Sequence, residues 1–153
     1  MKFERGLIMN IVVRKCMISD AANIRDLSKK ALGFDYPADQ FEANIRRLMG
    51  TASNIIYVAE NNGHFVGFAH GCDFDVIYGP KLKVLRAIAV VDEYRRYGAA
   101  KKLLEAIEGW AKATGAQGIR IYGGTERTAA NSFYKTCGYS FVKPESKYKK
   151  DFE

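Results

Sequence analysis

The chain has 153 residues, 48% of them hydrophobic and 27% charged, with three cysteines and a formal net charge of +7 at pH 7. A chain of that length can bury a core without disulfide or metal staples, so positions 1–153 read as a single domain, with 1–9 expected as a disordered extension. The composition excludes an intrinsically disordered chain, and no apolar run has the length of a membrane-spanning helix.

The opening Met1-Lys2-Phe3-Glu4-Arg5-Gly6 has neither the apolar core nor the small-residue cleavage site of a secretory signal, and Met9 offers a second start. Cys16, Cys72 and Cys137 are odd in number, far apart and without metal-ligand spacing, which points to reduced thiols, a cytoplasmic location and no metal. Lys143, Lys147, Lys149 and Lys150 make the C-terminal region basic. No nucleic-acid motif accompanies them, so they read as solvated lysines, with neither nucleic acid nor membrane expected as a partner.

In chain order, Asn10 to Lys15 is short and β-branched and suits a first strand. Ser19-Asp20 offers an N-cap; Ala21, Ile24, Leu27 and Ala31 then recur at helical spacing, Ser28 and Lys29 are read as off that stripe, and Gly33 ends it. Phe34-Asp35-Tyr36-Pro37 breaks the pattern, either lining a pocket or stapling two helices together. A second helix with Phe41, Ile45, Leu48 and Met49 on one side runs to Gly50. Asn54 to Glu60 and His64 to His70 flank Asn61-Asn62-Gly63, a strong hairpin signal. Tyr78-Gly79-Pro80 turns the chain back toward a strand over Val84 to Val90.

Next comes Arg95-Arg96-Tyr97-Gly98-Ala99-Ala100, opening a helix whose apolar stripe is Ala100, Leu103, Leu104, Ile107 and Ala111. A helix start without bulky side chains presents unpaired N–H groups and the positive end of the helix dipole, and the arginines add charge. The pattern is neither the dinucleotide fingerprint nor the P-loop. A pyrophosphate cradle and a helix that merely packs tightly on its strand are the two readings. Gly115 stops this helix, and Gly118 to Tyr122 reads as a strand reached by a parallel crossover. A short helix around Ala130, Phe133 and Cys137 ends near Gly138, and further strands are expected at Ser140 to Val142 and Lys147 to Phe152.

Arg95-x-x-Gly98-x-Ala100 after an apolar strand resembles the Q/R-x-x-G-x-G/A signature of the GNAT superfamily of N-acetyltransferases. Ala129 to Tyr139 looks like that family's N-x-x-F/Y-Y-x-x-x-G-F/Y element, with one residue fewer before the aromatic pair. Arg96 replaces a frequent glycine, and Asp92 stands where proline is common. The likeness covers nearly the whole chain. It implies an α/β (α+β) fold of order β-α-α-β-β-β-α-β-α-β-β, with a mixed, mostly antiparallel six- to seven-stranded sheet and about four helices. It implies acetyl-CoA as cosubstrate, gripped by Arg95, Arg96, Tyr97, Gly98, Ala99 and Ala100, with Lys101 and Lys102 adding charge nearby. Main-chain groups of Ile88, Ala89 and Val90 would pair with the pantetheine arm, one N–H holding the oxyanion, and Asn131 would hydrogen-bond the same arm. On a helix Asn131 and Tyr134 share a face. A tyrosine of pKa about 10 can protonate a leaving thiolate whose conjugate acid has a pKa of roughly 8.5, which makes Tyr134 the general acid.

The base is open. Relatives carry a glutamate on the strand before the cradle where this chain has only Arg86, leaving Asp73, Asp75, Glu126 or a water chain. His64 and His70 do not form a metal pair. The resemblance also implies that Asp73, Asp75 and Glu145 fall in segments bordering the acceptor groove, with Phe34 and Tyr36 as its wall, and acidic and aromatic groups together suggest a small cationic amine as acceptor. The other readings are acetylation of protein amines, a coenzyme sensor without catalysis and a basic nucleic-acid-binding domain. A homodimer is left open.

Overall fold

The hairpin at the centre of the sheet sets the topology. Asn62 and Gly63 both take left-handed backbone (φ 49° and 82°), as a two-residue turn with right-handed strand twist requires. It joins β2 (Asn54–Asn61) to β3 (His64–Phe74). Before them lies β1 (Ile11–Lys15), and after them β4 (Leu82–Val90) and the short β5 (Ile119–Ile121). The order is β1-β2-β3-β4-β5, with antiparallel pairs up to β4 and a parallel β4–β5 pair, so the crossover expected from the sequence is present. The helices are α1 (Ala21–Leu32), α2 (Ala38–Met49), α3 (Ala99–Ala113) and α4 (Thr128–Thr136). This computed structural model describes residues 9–123 and 127–152. They pack as two units, one ending at Tyr122 and one beginning at Gly123.

In the first unit the sheet carries helices on both faces. On one, Ile24 and Leu27 of α1 and Ile45 of α2 meet Ile56, Val58 and Phe68 of the sheet. On the other, Leu103, Leu104 and Ile107 of α3 are fully buried. Gly71 shows how close α3 approaches: a Cβ there would lie 3.2 Å from Ile107 Cδ1 and 3.3 Å from Trp110. The chain enters α1 through an ion pair. Arg14 donates to both carboxylate oxygens of buried Asp20 (2.8 and 2.9 Å), which also accepts the Met17 N–H (2.7 Å). Burial would raise the Asp20 pKa, but the Arg14 hydrogen bonds and charge and the Met17 N–H outweigh it and hold it below the ordinary value.

Two expectations need correction. Ser28, read as off the apolar stripe of α1, is 4% exposed, because it stands one turn after Ile24 and shares its face. The strands expected at Ser140 to Val142 and Lys147 to Phe152 do not form: the described sheet has five strands rather than six or seven. Apolar residues in a strand are held by burial and a ladder partner, and here Tyr148 and Phe152 are 91% and 89% exposed. Pro144 also lacks the N–H that a ladder needs.

A β-bulge in β4 positions the site. His70 pairs with Ala87 and Gly71 with Leu85, which leaves Arg86 as the extra residue on β4. β5 accompanies β4 only over Lys83 to Leu85, so beyond the bulge that edge of β4 has no strand beside it among the described residues. No described helix is long and apolar enough to cross a membrane.

Candidate active site

Past the bulge, Ile88, Ala89 and Val90 pair with Ala69, Phe68 and Gly67 of β3 on one side only. The backbone groups on the other side are placed to pair with an extended ligand, as an added strand would. A 3₁₀ turn over Asp92–Tyr94 follows, and the chain then reaches α3 through two left-handed residues, Arg96 (φ 70°) and Gly98 (φ 83°). For Arg96 that conformation is strained, and strain of this kind concentrates at binding loops. Gly98 is the N-cap of α3 and no side chain caps the first turn, so its N–H groups are open to an anion. Ala99 is buried, Ala100 half-buried, and Tyr97 exposed. Arg95 pairs with Asp92 at 3.0 Å while remaining largely exposed, and Arg96 makes no ion pair among the described residues. Lys102 does not join this group: its Nζ donates to the Ile11 carbonyl at 2.9 Å, tying α3 to β1.

On the α1–α2 face of the sheet lies an open cavity of about 640 Å³. Its walls are apolar along Leu32, Phe34, Phe41, Leu48 and Phe68, and polar where β3 and β4 contribute His70, Cys72 and Arg86. Phe34 lines this cavity. Tyr36 is not among the lining residues; its carbonyl accepts from Arg25 Nε at 2.6 Å.

His70, considered in the sequence only as a metal ligand, is the best-organised group in the cavity. Its Nε2 lies 2.8 Å from Asn54 Oδ1. Asn54 Nδ2 donates to Thr51 Oγ1 (3.0 Å) and Ser53 Oγ (3.3 Å), which turns Oδ1 toward the imidazole. Nε2 therefore carries the hydrogen, and Nδ1 keeps a free lone pair. Burial first, and the charge of Arg86 second, push the imidazole pKa down to about 4, so the ring is neutral at physiological pH.

The acids expected nearby are engaged or elsewhere. Asp73 lines the cavity, but its carboxylate pairs with buried Lys83, whose Nζ sits 4.1 Å above the Trp110 ring on the α3 side of the sheet. Asp75 is exposed and outside the lining. Glu126, like Met1, lies outside the described residues. Arg86 donates from Nε to Cys72 Sγ at 3.2 Å, and its two Nη groups have no partner among the described residues. No described cluster of three or more His, Cys, Asp or Glu side chains is arranged to hold a metal.

In the second unit, α4 carries Asn131 and Tyr134 one turn apart. The Tyr134 ring packs against Phe133 (5.6 Å between centroids) and edge-on to Tyr139 (6.3 Å), and the Tyr139 N–H donates to the Tyr134 carbonyl at 3.0 Å. Burial raises the phenol pKa above its ordinary value, with Arg127 pulling the other way, so the hydroxyl is protonated at neutral pH. Glu145 is in this unit, 3.9 Å from Lys143.

Residues 21–139 match the model of the acetyltransferase (GNAT) family. Among known protein sequences, the chain is 28% identical over 131 residues to YhfO of Bacillus subtilis, an uncharacterized N-acetyltransferase, covering 83% of this chain and 88% of that one. It is 37% identical over 93 residues to N-alpha-acetyltransferase 30 of Schizosaccharomyces pombe, covering 60% and 61%. Among solved structures, the aminoglycoside N-acetyltransferase AAC(6')-Iy in complex with CoA superposes with a TM-score of 0.84 over 95% of this chain and 97% of that one, at 19% identity. At that identity the likeness speaks for the fold.

Proposed function

Because the chain belongs to the acetyltransferase (GNAT) family, we propose that it moves the acetyl group of acetyl-CoA directly to a primary amine bound in the cavity under α1 and α2. The observation that carries this is the succession of an open ladder edge over Ile88 to Val90 on β4 and, after one short turn, an anion-ready start of α3 at Gly98. The edge suits the amides of a pantetheine arm, and the helix start with Arg95, Arg96, Tyr97, Gly98, Ala99 and Ala100 suits a pyrophosphate. The coenzyme supplies an acetyl group already activated as a thioester. The protein's own contribution is to hold the amine and the thioester together, which removes much of the entropic cost of their encounter.

In this scheme Nδ1 of His70 accepts a hydrogen bond from the amine and orients its lone pair. It is not the final proton store: moving a proton from an alkylammonium of pKa about 10.4 to an imidazole at about 4 is uphill by roughly 9 kcal/mol. The amine therefore enters as the free base and water takes the proton. Asn131 holds the pantetheine arm, and Tyr134, protonated at neutral pH, returns a proton to the departing thiolate. Cys16, Cys72 and Cys137 form no disulfide among the described residues, which supports a cytoplasmic location. A cationic acceptor keeps less support than the sequence suggested, since Asp73 is neutralised by Lys83 and Asp75 is outside the cavity.

A second reading takes the acceptor to be an α-amine of a polypeptide. Its support is the likeness to the yeast N-alpha-acetyltransferase, together with the larger free-base fraction at neutral pH of an α-amine of pKa roughly 8. The test is thiol release from acetyl-CoA across free amines and short peptides, with mass spectrometry of the products. Binding of acetyl-CoA without turnover on any amine would leave a sensor in place of the enzyme.

A further inference from the structure

We infer that Arg86 sets the acceptor's chemistry: the amine it selects carries a carboxylate beside an apolar side chain, as a free hydrophobic amino acid does. This rests on the acetyltransferase reading above and sharpens it. The bulge takes Arg86 out of the alternation of β4 and brings it to the cavity wall next to Ala87. Its Nε is held by Cys72 Sγ at 3.2 Å, which steadies the guanidinium while both Nη groups remain without a protein partner among the described residues.

The charge in the wall is then easy to follow. Among the described lining residues the only carboxylate is that of Asp73, and it is offset by Lys83. His70 is neutral. Among the described lining residues Arg86 is the one uncompensated charge; the rest of the wall is neutral, polar at residues such as Ser53, Asn54 and His70 and apolar along Phe34, Phe41 and Phe68. A cationic acceptor would meet like charge there. An anion would find a planar fork of donors that matches a carboxylate in two parallel hydrogen bonds. The apolar remainder, with Phe34, Phe41 and Phe68, accommodates a side chain the size of phenylalanine in about 640 Å³.

Product-type ligands test this without depending on turnover. Calorimetry on the full chain, saturated with CoA, would compare N-acetylphenylalanine, its primary amide and N-acetylphenethylamine, in the wild type, Arg86→Gln and Arg86→Lys. The acid should bind the wild type roughly ten- to a hundredfold more tightly than either neutral ligand, as a charge-assisted pair implies. Arg86→Gln should erase that preference while leaving the amide's affinity unchanged, and Arg86→Lys should keep part of it. Three equal affinities, an advantage for the acid that survives Arg86→Gln, or no binding of any of the three would each overturn the inference; an amide that matches the acid would point to a polypeptide acceptor. Thiol release with phenylalanine and the wider set of amines reads the enzyme separately: the preference without turnover of any of them would refute catalysis and leave the carboxylate site standing.

Discussion

His70 Nε2 lies 2.8 Å from Asn54 Oδ1, across the β2–β3 pair, and that one contact decides which ring nitrogen keeps a lone pair. Replacing Asn54 with Leu removes the acceptor that holds the hydrogen on Nε2. We expect turnover to fall about tenfold, within the range for second-layer support of a positioned group, with acetyl-CoA affinity unmoved. Nitrogen-15 spectra of the imidazole should show the Nε2–H tautomer in the wild type and a mixture in the variant. An Nδ1–H tautomer in the wild type would remove His70 from the mechanism.

The same histidine gives a pH signature. Its pKa falls from 6.5 unfolded to about 4 folded, so between those values the unfolded chain binds the extra proton and stability drops as pH falls. The loss can reach about 3 kcal/mol, at ~1.4 kcal/mol per pKa unit. Denaturant titrations from pH 7 to pH 4 should show it, and His70→Gln should flatten that limb. An unchanged slope in the variant would assign the acid limb to other groups.

Asp20 acts lower on the scale. Its folded pKa lies below the unfolded 3.8, so the stability it contributes is present above that value and is lost as pH falls through the folded one. Asp20→Asn removes the buried negative charge opposite Arg14 and sets an NH2 donor where one accepting oxygen was, leaving that partly solvated guanidinium with Glu60 as its one charged partner among the described residues. We expect a loss of about 2 kcal/mol, discounted from the cost of a fully buried pair, and a melting temperature lower by ~4–8 °C. A melt within one degree of wild type would show that the pair contributes nothing.

Much of the fold was legible because it is local. Asn62-Gly63 demands a hairpin whatever surrounds it, the spacing of Leu103, Leu104 and Ile107 marks one face of α3, and Gly98 marks its start. What was not legible depends on partners distant in sequence. Arg86 reaches the cavity only because the β3–β4 register slips by one residue, and Asp73 is withdrawn from it by Lys83 on the neighbouring strand. His70 looked ordinary since its partner, Asn54, lies 16 residues earlier. The tail was read as strands from Phe141 and Val142, whose β propensity expresses nothing without a ladder to join.

Gly98→Val separates the coenzyme site from the fold. A Cβ at Gly98 would meet nothing within 4 Å, so the cost comes from the backbone, where φ 83° is hostile to a β-branched residue, and from a side chain standing over the N–H groups of the first turn. We expect acetyl-CoA affinity to fall at least tenfold in calorimetry, with a melting temperature only a few degrees lower. Gly98→Asn, which tolerates left-handed backbone, should bind better than the valine variant. Intact affinity in Gly98→Val would exclude this helix start as the pyrophosphate site.

Tyr134→Phe isolates the proton transfer. The substitution removes one hydroxyl and keeps the ring that packs against Phe133 and Tyr139, so α4 should fold as before. Burial holds the phenol above its ordinary pKa, so in the wild type the proton is present across the neutral range and no loss of rate from its ionisation should appear below pH 10. In the variant we expect turnover to fall by roughly a hundredfold to ten-thousandfold, with acetyl-CoA affinity unchanged, because the group acts on the departing thiolate and not on the bound thioester. A more acidic leaving thiol needs less help, so an acetyl donor of lower thiol pKa should recover part of the lost rate in the variant and gain little in the wild type. Turnover equal to wild type, measured where the chemical step limits the rate, would leave Tyr134 as a packing residue and return the leaving group's proton to water.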